Sequence, residues 1–568
     1  MDKRVGVLGG GQLGRMLVEA ANLLEIQVNF LDAPNSSAKQ VSNHDRHVDG
    51  SFKDADAIKK LAAKSDVITV EIEHVDTHML EDIAKTVNVQ PSWKTIRMIQ
   101  DKFAQKEHLQ RRGIATAQSM ALEEPSIAQL EKASASLGLP FMLKSRKEAY
   151  DGRGNFAVKS RDDFKPALEA LGGNQMLYAE KWADFKMELA VMVVKTKYLV
   201  LPFPTVETIH ENSICKLVYA PARGVSSEIN EKAQKLARQA VACFEGKGVF
   251  GVEMFLVKDD QLLINEIAPR PHNSGHYTIE ACPVSQYEAH LRAILDLPIQ
   301  DEDLQLREPA IMLNILGGDK PDSHLRFAKE ALKQRRTKIH LYGKGEARKG
   351  RKMGHITVTA PTMREAEQLI QPMINFVDQG KPQANSLASM RTTEQPLVAV
   401  VMGSDSDLPV LQPGLAILKK FGIPYEARIT SAHRTPSWMA EFASSAASNG
   451  FKAIIAAAGG AAHLPGMAAA HTPLPVIGVP VKPTIGDGMD SLLSICNMPK
   501  GVPVATVSVN NSTNAALLAI RILGVDDPTI RKRVEQYMQD SAAEVKAKDQ
   551  RLLDMGADSY AEKYLGKK

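Results

Sequence analysis

Cysteine is scarce in this chain: four residues in 568, none in a CxxC or CxH spacing. Cys215, Cys243, Cys282 and Cys496 therefore read neither as a zinc site nor as a disulfide frame, and fit reduced thiols of a cytoplasmic protein. An excess of one charge is also missing. Seventy Lys+Arg against 66 Asp+Glu leave +4, too little to imply a nucleic-acid partner. The first eight residues, Met1 to Leu8, run straight into a glycine loop and lack the apolar stretch and cleavage site of a signal peptide. No short-period repeat and no low-complexity tract is visible. The longest apolar region, 453–481, does not read as a membrane span: two histidines and several prolines interrupt it, Lys482 flanks it, and a span needs about 20 predominantly apolar residues. What remains is 44% hydrophobic and 24% charged, enough to build several cores. At about 150 residues per domain the length suggests roughly four domains.

Strand and helix patterns alternate in the first hundred residues. Val5–Leu8, Val28–Leu31 and Val67–Val70 read as buried strands and Gln12–Glu25 as a helix, which is βαβ grammar and predicts a parallel sheet. From about 140 the pattern changes. Strands are expected at 140–145, 176–182, 187–195, 198–206, 214–220, 249–257 and 261–267, with a helix near 228–245, an α+β arrangement with antiparallel strands. A smaller α+β cap follows. Residues 379–395 are polar and aperiodic and read as a linker. The βα alternation restarts at Val398–Val401 and runs to about 523, before a charged helical tail over 528–565. The expected organisation is thus α/β overall: 1–100 a parallel βαβ domain, 101–300 an α+β core, 301–378 the cap, 379–395 the linker and 396–568 a parallel three-layer αβα domain.

Several motifs carry chemistry. Gly9-Gly10-Gly11-Gln12-Leu13-Gly14 satisfies GxGxxG between a strand and a helix, and Asp32 ends the next strand, where a ribose-binding acid would sit. The alternatives are a glycine turn that packs helix on strand, or a cradle for another phosphate. Lys144 ends a strand before Tyr150-Asp151-Gly152-Arg153-Gly154, a loop able to fold over a triphosphate, although Asp-Gly is also a common hairpin turn. Glu253 and Glu266 fall on two neighbouring strands joined by a short turn. Two such carboxylates can meet on one face and, with ATP phosphates, suit magnesium. The stretch 265–276, from Asn265 to His276, crowds acid, amide, cation and hydroxyl groups into one loop. Nine Lys/Arg lie in 333–352; Lys333, Arg335 and Arg336 read as a solvated face, whereas glycines punctuate the rest as in a phosphate-wrapping loop.

In the C-terminal part three strand-end loops converge in sequence order: Gly403-Ser404-Asp405-Ser406-Asp407, Ser431-Ala432-His433-Arg434-Thr435-Pro436, and Gly459 to Gly466. Hydroxyls and free N–H groups at the first can bind phosphate, with Asp407 equally able to serve as a helix N-terminal acid. In the third loop Gly459, Gly460, Ala461 and Ala462 leave backbone amides uncovered beside His463, so a small ligand could lie on the main chain.

These motifs resemble two enzyme families. Gly11–Met16, Tyr150–Gly154 and Asn265–His276 are similar to those of the ATP-grasp carboxyaminoimidazole ribonucleotide synthetases of purine biosynthesis. The three C-terminal loops, with Asp490-Ser491-Leu492 and Met498–Val504, resemble the class I aminoimidazole ribonucleotide carboxylases, the carbamate mutases. With both parts matched, the whole chain is similar to the fungal-type bifunctional phosphoribosylaminoimidazole carboxylases.

The resemblance implies ATP, magnesium and bicarbonate for the first reaction and no cofactor for the second. It implies that Lys102, Lys144, Glu180, Lys181, Glu188 and His210, with Tyr150, Asp151, Gly152, Arg153, Gly154, Asn265 and Glu266, contact ATP, and that Glu253 and Glu266 hold magnesium. Asp151, Arg270, Asn273 and Ser274 would face the ribonucleotide or carboxyphosphate, and Gln12, Lys344, Arg351 and Lys352 the ribonucleotide. In the second reaction His433 would move the proton and His463 line the carboxyl pocket. Ser404, Asp407, Ser431 and Arg434, with Gly459 and Leu464, would hold the ribonucleotide. The family implies small-molecule substrates, no nucleic acid, no membrane and a homo-oligomer, an octamer through the C-terminal domain. A nicotinamide-dependent oxidoreductase built on residues 9–14 would leave the paired glutamates and the C-terminal domain unexplained. A carboxylase using carbon dioxide directly would leave the ATP-grasp part redundant.

Overall fold

Val5–Leu8 (β1) is a run of small and branched apolar residues, buried on both faces, as is Val67–Val70. Such strands fit only the middle of a covered parallel sheet. In the computed structural model, which describes residues 2–147, 154–173, 176–211, 213–378, 396–447 and 449–565, β1 lies at that centre. Val28–Asp32 (β2) and Val48–Asp49 (β3) extend the sheet on one side, and Val67–Val70 (β4) and Asn88–Val89 (β5) on the other, all parallel.

Next comes a four-stranded antiparallel sheet of Ser119–Ala121 (β6), Phe141–Ser145 (β7), Asn155–Val158 (β8) and Leu177–Lys181 (β9), in the order β6-β9-β7-β8. Phe185–Lys195 (β10), Val200–Pro202 (β11), Val206–Glu211 (β12), Ile214–Ala220 (β13), Gly248–Val257 (β14), Leu262–Ala268 (β15), Ala310–Leu316 (β16), Thr337–Leu341 (β17) and Lys352–Thr359 (β18) form one nine-stranded sheet. Its order is β15-β14-β10-β12-β13-β16-β18-β17, with β11 paired to β10. The strands β16 to β18 thus continue the same sheet through β13 rather than making one of their own. The strand expected over 198–206 is broken. Pro202 and Pro204 cannot donate to a ladder, so a short β11 ends there and a new strand, β12, starts at Val206.

By contact the chain divides into two units, Met1–Pro382 and Gln383–Lys568. In the second, Val398–Met402 (β19), Tyr425–Ile429 (β20), Ala453–Gly459 (β21), Val476–Val481 (β22) and Ala505–Thr506 (β23) form a parallel sheet in the order β20-β19-β21-β22-β23. Helices pack on both faces: Leu411, Leu415, Ala515 and Ala519 cover one side and Met439, Ala443, Leu464 and Ala468 the other. The chain leaves β19 toward β20 on one side and returns as β21 on the other. That reversal opens a crevice at the strands' C-terminal ends, where open α/β sheets bind ligands. A 28-residue helix, Pro528–Met555, and a shorter one, Ala557–Tyr564, end the unit. Among the described residues no helix is long and apolar enough to cross a membrane, and all four cysteines are free thiols.

Candidate active sites

The glycine loop after β1 is occupied by the protein's own carboxylates. Gly10 N–H donates to Asp32 Oδ2 at 2.6 Å. Glu71, just beyond β4, accepts from Gly11 N–H and from Leu13 N–H, the latter at 2.9 Å. A helix start leaves its first amides without partners, and Glu71 satisfies them where a pyrophosphate would otherwise lie. A Cβ on Gly11 would come within 2.7 Å of Glu71 Oε1, so glycine is required for this approach. Burial pushes the Glu71 carboxyl above its ordinary range. Asp32 is spent on the loop itself, which removes the dinucleotide reading on physical grounds.

A charged cluster forms where the four-stranded and nine-stranded sheets meet. Lys144 on β7 and Lys106 on the helix Lys102–Gln110 converge on one carboxylate, Glu180 of β9, at 2.7 and 2.6 Å. Lys106, only 1% exposed, also donates to the Asn265 carbonyl at 3.1 Å. Burial works to raise the Glu180 carboxyl, but the two ammonium groups outweigh it and hold it at about 2. Burial lowers Lys106, since one carboxylate cannot fully compensate two lysines. Lys102, at the start of the same helix, is ion-paired with Glu266. That helix is capped by Asp101, which Arg146 grips at 2.6 Å.

Glu253 of β14 and Glu266 of β15 are direct register partners. The two carboxylates expected to meet therefore stand side by side. Burial pushes Glu266 up, and Lys102 overrides it to about 2. Ser274 Oγ donates to Glu253 Oε1 at 3.3 Å, and His272 Nδ1 lies 3.6 Å from the same oxygen. Arg270 grips Glu73 through Nε at 2.6 Å and Nη2 at 3.2 Å. Burial alone would raise Glu73, yet Arg270 holds it at about 2. Asn273 exchanges two hydrogen bonds with Asn314 of β16, at 3.1 and 2.7 Å. Glu188 of β10 is ion-paired with His210 of β12. Burial works against the His210 imidazolium, but Glu188 prevails and raises it. The charges of Lys102, Lys144 and His272 all act on Glu266, and that of Lys352 on both His210 and His272.

Lys344 bonds Gln12 and the Lys352 carbonyl, and Arg351 Nη1 donates to the Lys344 carbonyl at 3.2 Å. Gln12, Lys344, Arg351 and Lys352 are therefore neighbours. Lys181 sits exposed at the end of β9, and Gly154 just before β8. Lys333 and Arg336 pair with Glu330 and Glu308, the solvated face expected of them. Tyr150, Asp151, Gly152, Arg153 and the linker 379–395 lie outside the described residues. Sequence reading missed Lys106, Glu71, Glu73 and Asn314. Lys106 stands one helical turn after Lys102, a spacing that reads equally well as a solvated face.

In the second unit the loops after β19, β20 and β21 line the crevice. Ser404 and Asp407 form a reciprocal cap on the turn 405–407, with Ser404 N–H donating to Asp407 at 3.3 Å. Burial raises the Asp407 carboxyl. Arg434 ties two loops together: Nη2 donates to the Gly403 carbonyl at 2.8 Å and Nε to Ser431 Oγ at 3.3 Å. His433 Nε2 and His463 Nδ1 lie 2.7 Å apart with the rings edge to face at 84°. Both side chains are exposed. At that distance one nitrogen donates and the other accepts, so the pair shares a proton.

The third loop differs from its expected form. Gly460 N–H is bonded to Ser491 Oγ at 2.8 Å, Ala462 N–H to the Gly460 carbonyl and His463 N–H to the Ala461 carbonyl, each at 2.8 Å. Much of the amide cradle is thus used internally, because a buried serine on the helix Met489–Cys496 and tight turns satisfy it. Gly459 is exposed, whereas the Leu464 side chain is 2% exposed and belongs to the core. Among the described residues no three His, Cys, Asp or Glu side chains are placed to hold a metal. Two in-register carboxylates nevertheless fit magnesium, which takes one or two protein carboxylates and completes its shell with water and phosphate oxygens.

Known families align with these sites. Residues 1–100 match the ribonucleotide synthetase preATP-grasp domain, 107–287 the ATP-grasp domain, 310–369 the phosphoribosylaminoimidazole carboxylase C-terminal domain and 397–544 the AIR carboxylase family. The chain is 53% identical to the phosphoribosylaminoimidazole carboxylase of Saccharomyces cerevisiae over 99% of this chain and 100% of that one. It is 50% identical to that of Schizosaccharomyces pombe over 98% and 99%. Among solved structures, an N5-carboxyaminoimidazole synthase from Aspergillus clavatus, in complex with ADP and 5-aminoimidazole ribonucleotide, superposes with a TM-score of 0.65 at 63% identity. It covers 66% of this chain and 99% of that one. With the likeness running over 99% of its length, the chain belongs to the phosphoribosylaminoimidazole carboxylases, enzymes of purine biosynthesis that join an ATP-grasp carboxyaminoimidazole ribonucleotide synthetase to an aminoimidazole ribonucleotide carboxylase.

Proposed function

We propose that the first unit uses ATP to activate bicarbonate as carboxyphosphate, and that the amine of aminoimidazole ribonucleotide captures the carboxyl as a carbamate. Glu253 and Glu266 hold magnesium, which screens the triphosphate charge. Lys102, Lys144, Glu180, Lys181, Glu188, His210 and the loop 150–154 bind ATP. Arg270, Asn273, Ser274 and Asp151 face the carboxyphosphate and the amine. Gln12, Lys344, Arg351 and Lys352 hold the ribonucleotide.

The second unit transfers the carboxyl to the neighbouring ring carbon. The carbamate releases carbon dioxide in a closed pocket, and the electron-rich aminoimidazole carbon attacks it, so no cofactor is required. One proton must reach nitrogen and another must leave the ring carbon. The observation that carries this reading is the 2.7 Å bond between His433 and His463 at the meeting point of three strand-end loops. His433 passes the proton and His463 holds its other end while lining the carboxyl pocket. Histidine suits that exchange near neutral pH. Ser404, Asp407, Ser431 and Arg434 bind ribose and phosphate.

Exposed apolar side chains on the second unit, Trp438, Ile485, Met489 and Leu493, support a homo-oligomer built through it, and the free thiols support a cytoplasmic setting. The test separates the two reactions. Glu253→Gln is expected to abolish bicarbonate-dependent ADP release yet still carboxylate the ribonucleotide at very high carbon dioxide. His433→Asn is expected to do the reverse. Loss of both activities in a folded variant of either kind defeats the two-site assignment.

A further inference from the structure

The segment from Glu266 to Gly275 carries Arg270, Asn273 and Ser274, yet the second half of it is loop rather than strand. Two buried glutamines hold its backbone. Gln105, 2% exposed, donates to the Ile267 carbonyl at 2.9 Å and accepts from Ile267 N–H at 3.0 Å. Gln286, fully buried at the start of the helix Gln286–Ile294, does the same to His272. Its Oε1 accepts from His272 N–H at 2.9 Å, and its Nε2 donates to the His272 carbonyl at 2.8 Å. The backbone fixes which end of each amide is oxygen, since an N–H must meet the oxygen and a carbonyl the nitrogen.

Gln286 Nε2 lies 3.2 Å from His276 Nδ1, which the Tyr287 hydroxyl also approaches at 3.0 Å. Thr278 Oγ1 accepts from Gln286 N–H at 2.9 Å and donates to the Gly275 carbonyl at 2.6 Å. There is no slack in this seat. A Cβ on Gly275 would come within 2.4 Å of Gln286 Oε1, and one on Gly251 within 2.5 Å of His272 Cβ.

We propose that Gln286 is a positioning residue for bicarbonate activation: by pairing with the His272 peptide it aims Arg270, Asn273 and Ser274 at the carboxyphosphate until the amine attacks. The inference rests on the bicarbonate-activating role proposed for the first unit. A loop that drifts loses its hold on the intermediate. Carboxyphosphate then breaks its C–O bond, leaving carbon dioxide and phosphate, and ADP forms without carboxylated product.

The experiment measures ADP and carboxylated product together in the full-length enzyme, for wild type, Gln286→Met and Gln286→Glu. In wild type the two are expected in a ratio near one, both dependent on bicarbonate. Gln286→Met keeps the side-chain length and loses every bond. Its product turnover is expected to fall about 10- to 100-fold, with ADP formation falling less, so the ratio rises several-fold while KM for ATP stays within about twofold. Gln286→Glu keeps an acceptor for His272 N–H but sets a carboxylate against the His272 carbonyl. Protonation restores a donor, so its coupling is expected to recover as pH falls, whereas that of Gln286→Met does not. Simple loss of folded enzyme lowers both products together and leaves the ratio at one. A ratio of one in both variants, or no pH recovery in Gln286→Glu, overturns the proposal. Wild-type ADP release that ignores bicarbonate overturns the proposed function and this inference with it.

Discussion

Replacing Glu180 by Gln removes one charge from the tightest ionic cluster of the first unit and changes little else. Lys106 and Lys144 then lose the carboxylate they share, at sites where the lysine side chains are 2% and 13% exposed. Glu180 titrates at about 2 in the folded protein, against about 4.3 in an unfolded chain. That gap corresponds to about 3 kcal/mol at neutral pH, in line with the ~3–5 kcal/mol for breaking a buried pair by removing one partner. Because the folded value is depressed, the contribution is fully present above the unfolded value and disappears as pH falls toward about 2. Wild type is therefore expected to exceed Glu180→Gln by a constant margin from mildly acidic to neutral pH. Above neutrality the margin narrows, because a buried lysine without its partner sheds its proton readily.

Differential scanning calorimetry of the full chain reads this directly. The transition that ATP stabilises is expected to drop by roughly 4–6 °C, and the other transition to stay in place. Lys106→Met is the control. It leaves Glu180 paired with Lys144 and relieves the repulsion between the lysines, so its cost is about 1 kcal/mol. Equal or greater damage from Lys106→Met, or a Glu180→Gln deficit that persists undiminished near pH 2, refutes the reasoning.

Two further outcomes follow from single contacts. Glu71→Ala strips the cap from Gly11 and Leu13 N–H and is expected to cost about 1–2 kcal/mol, part of which inorganic phosphate restores by filling the vacated amides; equal stabilisation of wild type by phosphate, seen in thermal unfolding, counts against it. Ser491→Ala frees Gly460 N–H and the Val481 carbonyl, which Ser491 bonds at 2.8 Å each, and is expected to slow carboxyl transfer about tenfold or more without touching ATP turnover; unchanged transfer in a direct assay on the carbamate shows that Ser491 does not set this loop.

The periodic signals of the chain were local and survived folding. Val5–Leu8 and Val67–Val70 are strands at the residues where their largely apolar, β-branched runs place them, and β14 and β15 follow from two apolar runs with a tight turn between them. That turn alone would set Glu253 opposite Asn265; a bulge there slips the pairing by one residue and brings Glu266 opposite Glu253, which the sequence did not show. The two histidine loops were legible because each lies at the end of a strand pattern, and glycine and proline mark where the strand stops. Where a proline pair interrupted an apolar run, at 202–204, periodicity misjudged the strand, since the missing N–H groups are a defect of pairing rather than of hydropathy.

Polar partnership was decided only by the tertiary structure. Glu71 reaches Gly11 across 60 residues, and that contact turns a dinucleotide-like fingerprint into a loop already filled. Lys106 and Glu180 carry no mark in sequence that they belong together. Their pairing exists because a helix packs against one sheet while a strand of the next sheet brings its carboxylate beneath it, in a place too dry for either charge to stand alone. His433 and His463 were separate candidates, one for chemistry and one for lining. The strand order β20-β19-β21 puts their loops on either side of one crevice and makes them a single proton-sharing pair. Sequence alone determined which segments are strands and which loops carry reactive groups, because those are short-range properties of the backbone and of hydrophobic period. Which reactive groups meet was left to the order of the strands, because buried donors and charges find partners only after packing has removed the water that would otherwise have served them.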